Sequence, residues 1–289
     1  MDPLMENHIA IADSKYGKFV FFRNDDPIGA CLHYYGEWAQ QEMDLFDLFL
    51  SEDCNVIDVG ANIGTHSVYF SKKCSKGTTF AIEPQLHISQ ILSTNLLFNG
   101  CFNVVPIRAA CGSEEKELRI LNINPFEGQK VNYGEFKVTD NGNNGIHTNC
   151  ITLDSFMKYG IPFHLIKLDV EGLEVEVLNG AVNLINLFKP MLYIEFNNKE
   201  GNDALLNKIY SLGYIPYWHV YKKHNTNNHN KQSMNIWEGD DRSINKKNMD
   251  KRYEGNVICV HKDLPQPTGL EVAKLGSNIY DFLVDQGMI

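Results

Sequence analysis

Short runs of consecutive apolar residues alternate along this chain with stretches of helical period. Val56-Ile57-Asp58-Val59 has the length and β-branching of a buried parallel strand. Gly60-Ala61-Asn62-Ile63-Gly64 makes a tight turn, and Thr65 to Lys73 sets Val68, Tyr69 and Phe70 on one helix face. Thr78 to Ile82 is a second strand, ending on Glu83. Pro84 then suits a helix start, with the apolar face of Ile88 to Phe98 behind it. Further strands are expected at Phe102–Ile107, Phe163–Leu168, Pro190–Phe196, Tyr214–Tyr221 and Asn256–Val260, the last two paired. Helices are expected at Gln41–Leu50, Leu173–Ala181, Asp203–Leu212 and Ser277–Asp285, and another runs to Tyr159 with Thr152 as its cap. The pattern predicts an α/β fold: a doubly wound, mostly parallel seven-stranded sheet.

Residues 1–34 read as an N-terminal extension, with one strand-like piece at Lys18–Phe22 and a turn at Asn24–Pro27. Residues 35–289 read as a single domain with two insertions. The first, about 113–148, has short strands and glycine or asparagine turns, a place for substrate contacts. The second, about 222–254, is polar and rich in Asn and Lys, and reads as a mobile loop that Met234–Trp237 anchors.

Strand, glycine turn, helix, strand, acid is the layout of a nucleoside-binding βαβ unit, in which the terminal acid, here Glu83, accepts ribose hydroxyls. The turn lacks the dinucleotide G-x-G-x-x-G, and no Lys-Ser/Thr follows Gly64 as in a P-loop. An acid two residues before the first glycine, Asp58, repels pyrophosphate but suits the ammonium of an amino-acid-like ligand. S-adenosylmethionine carries that ammonium together with a ribose; the alternative is that Asp58 only orders the turn. The small-residue turn Ala109-Ala110-Cys111-Gly112 would flank the adenine. Glu37 and Glu42 either reach back to the cofactor or form a solvated helix face. Candidate cofactor contacts are therefore Glu42, Asp58, Gly60, Ala61, Asn62, Gly64, Thr65, Glu83 and Ala110.

Composition narrows the partners. A formal net charge of -10 with no strong basic block argues against a nucleic-acid groove. Seven cysteines form no C-x-x-C pair, so zinc-ribbon spacing is absent and reduced thiols are expected. There is no run of transmembrane length, and the first residues lack the basic start and apolar core of a signal peptide. The expectation is a soluble, cytoplasmic protein acting on a small-molecule or glycan acceptor.

Methyl transfer to a hydroxyl requires alignment of the acceptor and removal of its proton. Asp169 and Glu171, at the end of the strand beside the first, are the candidate catalytic residues; otherwise they order the turn and the next helix. Glu195 ends the fifth strand near the same crevice. His147, His164 and His219 are bases by residue type only and read as structural. No spacing demands a metal, and none is predicted. An oxygen-only magnesium or calcium site would have to come from Asp169, Glu171 and Glu195.

Five motifs in order, G-E-W-x-x-x-E at Gly36–Glu42, V-I-D-V-G-A-N-I-G-T-H-S at Val56–Ser67, I-E-P at Ile82–Pro84, L-D-S-F at Leu153–Phe156 and I-K-L-D-V-E-G-L-E-V-E-V-L-N-G-A at Ile166–Ala181, closely resemble the FkbM-type methyltransferases. The resemblance runs from Tyr35 to Phe196. It implies S-adenosylmethionine-dependent O-methylation of hydroxyls on sugars, glycolipids or polyketides. Carried over, Asp58, Gly60, Asn62, Gly64 and Glu83 match the cofactor positions, and Asp169 to Gly172 match the second signature. Asn62 replaces a glycine common among methyltransferases, and asparagine tolerates the left-handed backbone. The insertion at Lys222–Arg252 and the N-terminal segment lie outside the match, where substrate particularity is expected. Three competing readings remain: an NAD-dependent sugar-nucleotide oxidoreductase, an RNA ribose methyltransferase (with Lys167, Asp169 and Lys199 as its faint signal) and a non-catalytic binding module.

Overall fold

The computed structural model of the protein describes residues 8–121, 131–135, 138–139, 145–196, 202–237 and 252–289. Seven strands build the central sheet: β1 Val56–Val59, β2 Thr79–Ile82, β3 Val104–Ile107, β4 Leu165–Leu168, β5 Met191–Glu195, β6 Tyr214–Lys222 and β7 Tyr253–His261. Their order is β6-β7-β5-β4-β1-β2-β3. β1 to β5 run parallel, and β7 is antiparallel to both neighbours. The chain steps outward from β1 to β3, then returns to β4 on the other side of β1. This reversal opens the crevice at the carboxyl ends of β1 and β4.

Helices cover both faces: α1 Ile28–Tyr35, α2 Gln40–Asp47, α3 Thr65–Lys73, α4 Leu86–Phe98, α5 Glu174–Asn179, α6 Val182–Phe188, α7 Asn202–Ser211 and α8 Ile279–Asp285. Side chains alternate across a strand, so Ile57, Val59, Ile166 and Leu168 pack with Leu178, Leu184 and Leu206 on one face. Val56 and Leu165 pack with Met43, Phe46 and Phe70 on the other. Phe46, fully buried, meets Tyr193 edge-on at 4.8 Å between ring centroids. Burial of such a ring is worth about 2–3 kcal/mol. The same alternation turns Asp58 and Lys167 toward α2 and α3. They are cross-strand partners, and Tyr193 continues the row on β5.

Residues 8–34 pack onto this body. Ile9–Ser14 and Gly17–Phe22 form an antiparallel hairpin. Asn95 of α4 clamps it, accepting from the Val20 amide at 2.7 Å and donating to the Val20 carbonyl at 3.0 Å. The first insertion is β-rich as expected: Ala109–Cys111, Gly145–Ile151, Lys116–Leu121 and Val138–Thr139 form a second sheet in that order. The expected turns at Glu127-Gly128 and Asn141–Asn144 lie outside the described residues.

Several expectations are corrected. Leu153–Tyr159 is a 3-10 turn, and the Thr152 side chain does not cap it. Asp154 instead caps α6, accepting from the Leu184 amide at 2.8 Å. The single helix expected at Leu173–Ala181 is cut at Gly180, where a β-carbon would lie 2.0 Å from the Gly112 carbonyl oxygen. The described part of the polar insertion is tied down rather than loose. The Tyr35 hydroxyl donates to the Met234 carbonyl and accepts from the Ile236 amide, each at 2.9 Å, so Met234–Trp237 is an anchor.

Candidate active site

The turn after β1 alternates into left-handed backbone, with φ of +79° at Gly60, +50° at Asn62 and +91° at Gly64. At Gly60 the requirement is also steric: a β-carbon would sit 1.8 Å from the Asp169 carbonyl oxygen. Glycine is thus needed there for the approach of two strand ends. The turn delivers the Asn62 amide to Glu83 Oε2 at 3.1 Å, and the Gln85 amide donates to Glu83 Oε1 at 2.8 Å. Glu83 is 3% exposed. Burial, reinforced by Asp169 and Asp58, pushes its carboxyl up to about 7 against these two hydrogen bonds.

A cavity of about 320 Å³, measured as space for the centre of a water-sized group, opens above these residues. Of the expected contacts, Glu42, Gly60, Ala61, Asn62, Thr65, Glu83, Ala110, Asp169 and Glu171 line it, as does Glu195. Asn132 to Gly134, from the β-rich insertion, close it on the Glu83 side, where Gln85 Nε2 donates to the Tyr133 carbonyl at 2.7 Å. Asp58 and Gly64 are not on the wall. Asp58 is fully buried behind it, with Oδ2 accepting from Ser67 Oγ at 2.6 Å and Oδ1 without a partner. A direct grip on an amino group, expected from its place in the sequence, is therefore not what its position offers. Gly64 heads α3 against Leu92.

The opposite wall is formed by a buried polar cluster. Lys167, 3% exposed, places Nζ 3.1 Å from Asp169 Oδ2. Burial pulls its pKa down, but Asp169, Asp58 and Glu42 outweigh burial and keep the ammonium protonated. Glu42 Oε2 meets His66 Nε2 at 2.8 Å, while Oε1 accepts from the Tyr221 hydroxyl at 2.6 Å and from Asn256 Nδ2 at 2.9 Å. Burial would raise the Glu42 carboxyl, yet His66, Lys167 and Tyr221 hold it at about 2. Glu42 is thus no solvated helix residue. Glu37 does not reach the cavity but serves the polar insertion, accepting from Asn225 Nδ2 at 2.7 Å and the His229 amide at 2.8 Å.

Nothing in the sequence marks His66, Tyr221 or Asn256, and Lys167 stands there only as a faint signal for an RNA ribose site. A lysine inside the apolar run Leu165–Leu168 was the one available signal, since a buried lysine requires partners. Of the histidines, His164 Nδ1 accepts from the Asn55 amide, His147 is exposed beside Glu117, and His219 Nδ1 bonds the Tyr193 hydroxyl at 2.7 Å. None of these three lines the cavity, whereas His66 does.

The acceptor side combines Asp169, half-exposed, with Glu171, held in left-handed backbone at φ +54°, and Glu195. One oxygen from each of the three lies within 4.8 Å of the others, a convergence that suits an oxygen-ligated divalent cation. The Lys167 ammonium already compensates one of these charges. Among the described residues no helix is long and apolar enough to cross a membrane.

Hexuronic acid methyltransferase AglP of Haloferax volcanii is 33% identical over 150 residues, covering 50% of this chain and 58% of that protein. The chain thus spans little more than half the length of that relative. Methyltransferase FkbM from Methylobacillus flagellatus KT superposes with a TM-score of 0.45 at 18% identity, over 72% of this chain and 44% of its own. Fibrillarin from Aeropyrum pernix, with natively bound S-adenosyl-L-methionine, gives 0.43 at 10% identity, over 87% and 82%. The family model of the methyltransferase FkbM domain matches residues 58–216, more than half of the 289 residues, including both strand ends that frame the cavity. The chain belongs to the FkbM methyltransferase family.

Proposed function

We propose that the protein transfers a methyl group from S-adenosylmethionine to a hydroxyl of a sugar, free or within a glycan. The observation that carries this reading is a single cavity with Glu83 on one side and Asp169 on the other. Glu83 is a buried acceptor at the end of β2, placed for ribose hydroxyls. Its two backbone hydrogen bonds still leave lone pairs on both oxygens. Ala109 to Cys111 offer a small apolar wall for an adenine, and the turn at Asn62 lies between. The donor set thus fits the cofactor, whose sulfonium supplies an activated methyl carbon when bound.

The protein's own share is alignment and proton removal. Asp169, at the mouth of the crevice, accepts the hydroxyl proton as the oxygen attacks. Lys167, behind it, pairs with that carboxylate and offsets negative charge growing on the oxygen. Trp38, Tyr221 and Tyr253 give the acceptor half of the cavity aromatic surface of the kind that packs against the apolar faces of a pyranose. The relative acting on a hexuronic acid supports a carbohydrate acceptor.

The test is calorimetric titration with S-adenosylhomocysteine and, separately, NAD, followed by transfer of labelled methyl to a panel of glycosides. Micromolar binding of the first alone, then label in a sugar ether, is the expected result. Binding of NAD alone overturns the reading of Asp58 and, with it, the methyl-donor proposal.

A further inference from the structure

Lys223 follows β6 and Glu254 lies near the start of β7, and the two meet on the wall of the main cavity with Nζ 3.0 Å from Oε2. Their side chains are 19% and 17% exposed, so the pair is largely sunk into the wall and still open to the space it borders. Neither residue belongs to the segment 58–216 that the family shares. Attraction within a desolvated ion pair does little more than offset the cost of burying its charges. Stability alone therefore gives no reason for a pair at this place.

Other carboxylates of the cavity are occupied. Glu42 is bonded through both oxygens, to His66, Tyr221 and Asn256, and Glu83 through both of its own, to the Asn62 and Gln85 amides. Glu254 bonds through Oε2 alone, to Lys223, and among the described residues its Oε1 has no partner. Lys223 leans over the Trp237 ring, 5.2 Å from the centroid. That contact and the bond to Glu254 leave its ammonium a further N–H to give.

A donor and an acceptor of opposite charge thus stand side by side. A hydroxyl can use both at once: its oxygen accepts from the ammonium and its hydrogen goes to Oε1. Charged substituents fit worse. An ammonium meets Lys223, and a carboxylate or phosphate meets Glu254, with Glu42 and Asp169 near enough to add to the repulsion. Burial, with those two neighbours, holds the Glu254 carboxyl above its usual range against the pull of Lys223. Tyr221 is the cross-strand partner of Glu254 and shares its face of the sheet, and Trp38 lines the cavity as well. A pyranose packed on such rings keeps its hydroxyls at the periphery, free for a polar pair of this kind.

We propose that the Lys223–Glu254 pair is a specificity site for the acceptor, binding a second hydroxyl of the sugar, other than the one that is methylated. The assignment rests on the sugar-acceptor reading above. No bond is made or broken at the pair; it holds the ring while Asp169 takes the proton.

The experiment measures kcat/KM for labelled methyl transfer by the full chain, with the methyl donor saturating, to a panel of methyl hexopyranosides and their monodeoxy analogues. Mapping the new ether identifies the methylated position. Loss of one other hydroxyl is expected to lower kcat/KM by about tenfold to a hundredfold, as for a hydrogen bond to charged groups, and chiefly through KM. Lys223→Met with Glu254→Gln removes both charges together, so neither is left buried alone. In that double variant the deoxy penalty should shrink to about threefold or less, with S-adenosylhomocysteine binding as the check on folding. Should the double variant not fold, Glu254→Gln alone, nearly the same in shape, should cut the penalty by about threefold or more. Indifference of the unaltered protein to every other hydroxyl, or a penalty of unchanged size in the folded variant, overturns the assignment and leaves the sugar reading standing. Transfer to none of the hexopyranosides, with S-adenosylhomocysteine still bound, removes both.

Discussion

Lys167 Nζ lies 3.1 Å from Asp169 Oδ2, across the last turn of the strand that ends at the crevice. The same ammonium faces Asp58 and Glu42, so one buried cation balances three carboxylates. Replacing it with an apolar residue of similar length leaves those charges opposed. Lys167→Met should lower stability by about 2 kcal/mol, less than for a fully buried pair because Asp169 is half-exposed. Denaturant titration checks this; an unchanged midpoint would show that the cluster is not held by charge.

Asp169→Asn should reduce turnover by about a hundredfold or more while S-adenosylhomocysteine affinity changes little, because the side chain accepts the acceptor's proton in the proposed reaction. Equal losses in both would make Asp169 a binding residue.

Glu83 gives a pH signature. Its carboxyl is raised to about 7 in the folded protein, so the native state holds a proton that the unfolded chain releases near the usual carboxylate range. The unliganded protein should lose stability as pH rises from about 4.5 to 7 and then level off, by about 3 kcal/mol for this group. Asp25, also raised to about 7 by burial, adds a loss of the same sign. Ribose hydroxyls donate to the carboxylate form, so S-adenosylhomocysteine should bind about tenfold more tightly at pH 8 than at pH 6. Glu83→Gln should abolish that slope in calorimetry. A slope that survives the substitution assigns it to another group.

Tyr35→Phe removes the hydroxyl that holds Met234 and Ile236. Amide exchange at Ile236 should quicken by about tenfold, as expected for a lost pair of hydrogen bonds, with little change in the global unfolding transition. Exchange that stays slow would show that other contacts carry the anchor.

How much of this was legible beforehand depends on range. β1, β2 and β4 announced themselves because strands buried on both faces are apolar almost throughout, and Glu83 could be read from its place at a strand end. Asn62 was read correctly as a residue tolerant of positive φ. What failed was non-local. Position 180 must be glycine because Gly112, nearly seventy residues earlier, occupies the space of a side chain. Asp58 looked like a ligand residue because its partner Ser67 and its cross-strand neighbour Lys167 become visible only once the sheet has formed. Glu42 joins Tyr221 and Asn256, far along the chain, and no local pattern marks such a meeting.

The contact between Gly60 and the Asp169 carbonyl also has a mechanical consequence. The turn proposed to receive the donor and the loop that carries the proposed base are wedged against each other with no side chain between, so neither can shift without the other. They form an anvil of fixed shape. Adjustment to acceptors of different length then falls to the wall at Tyr221 and Lys223, whose continuation along the chain, Asn225 to Trp237, is moored by a few hydrogen bonds to Tyr35 and Glu37. Directed evolution toward new acceptors should accordingly enrich changes along that mooring and leave the anvil untouched.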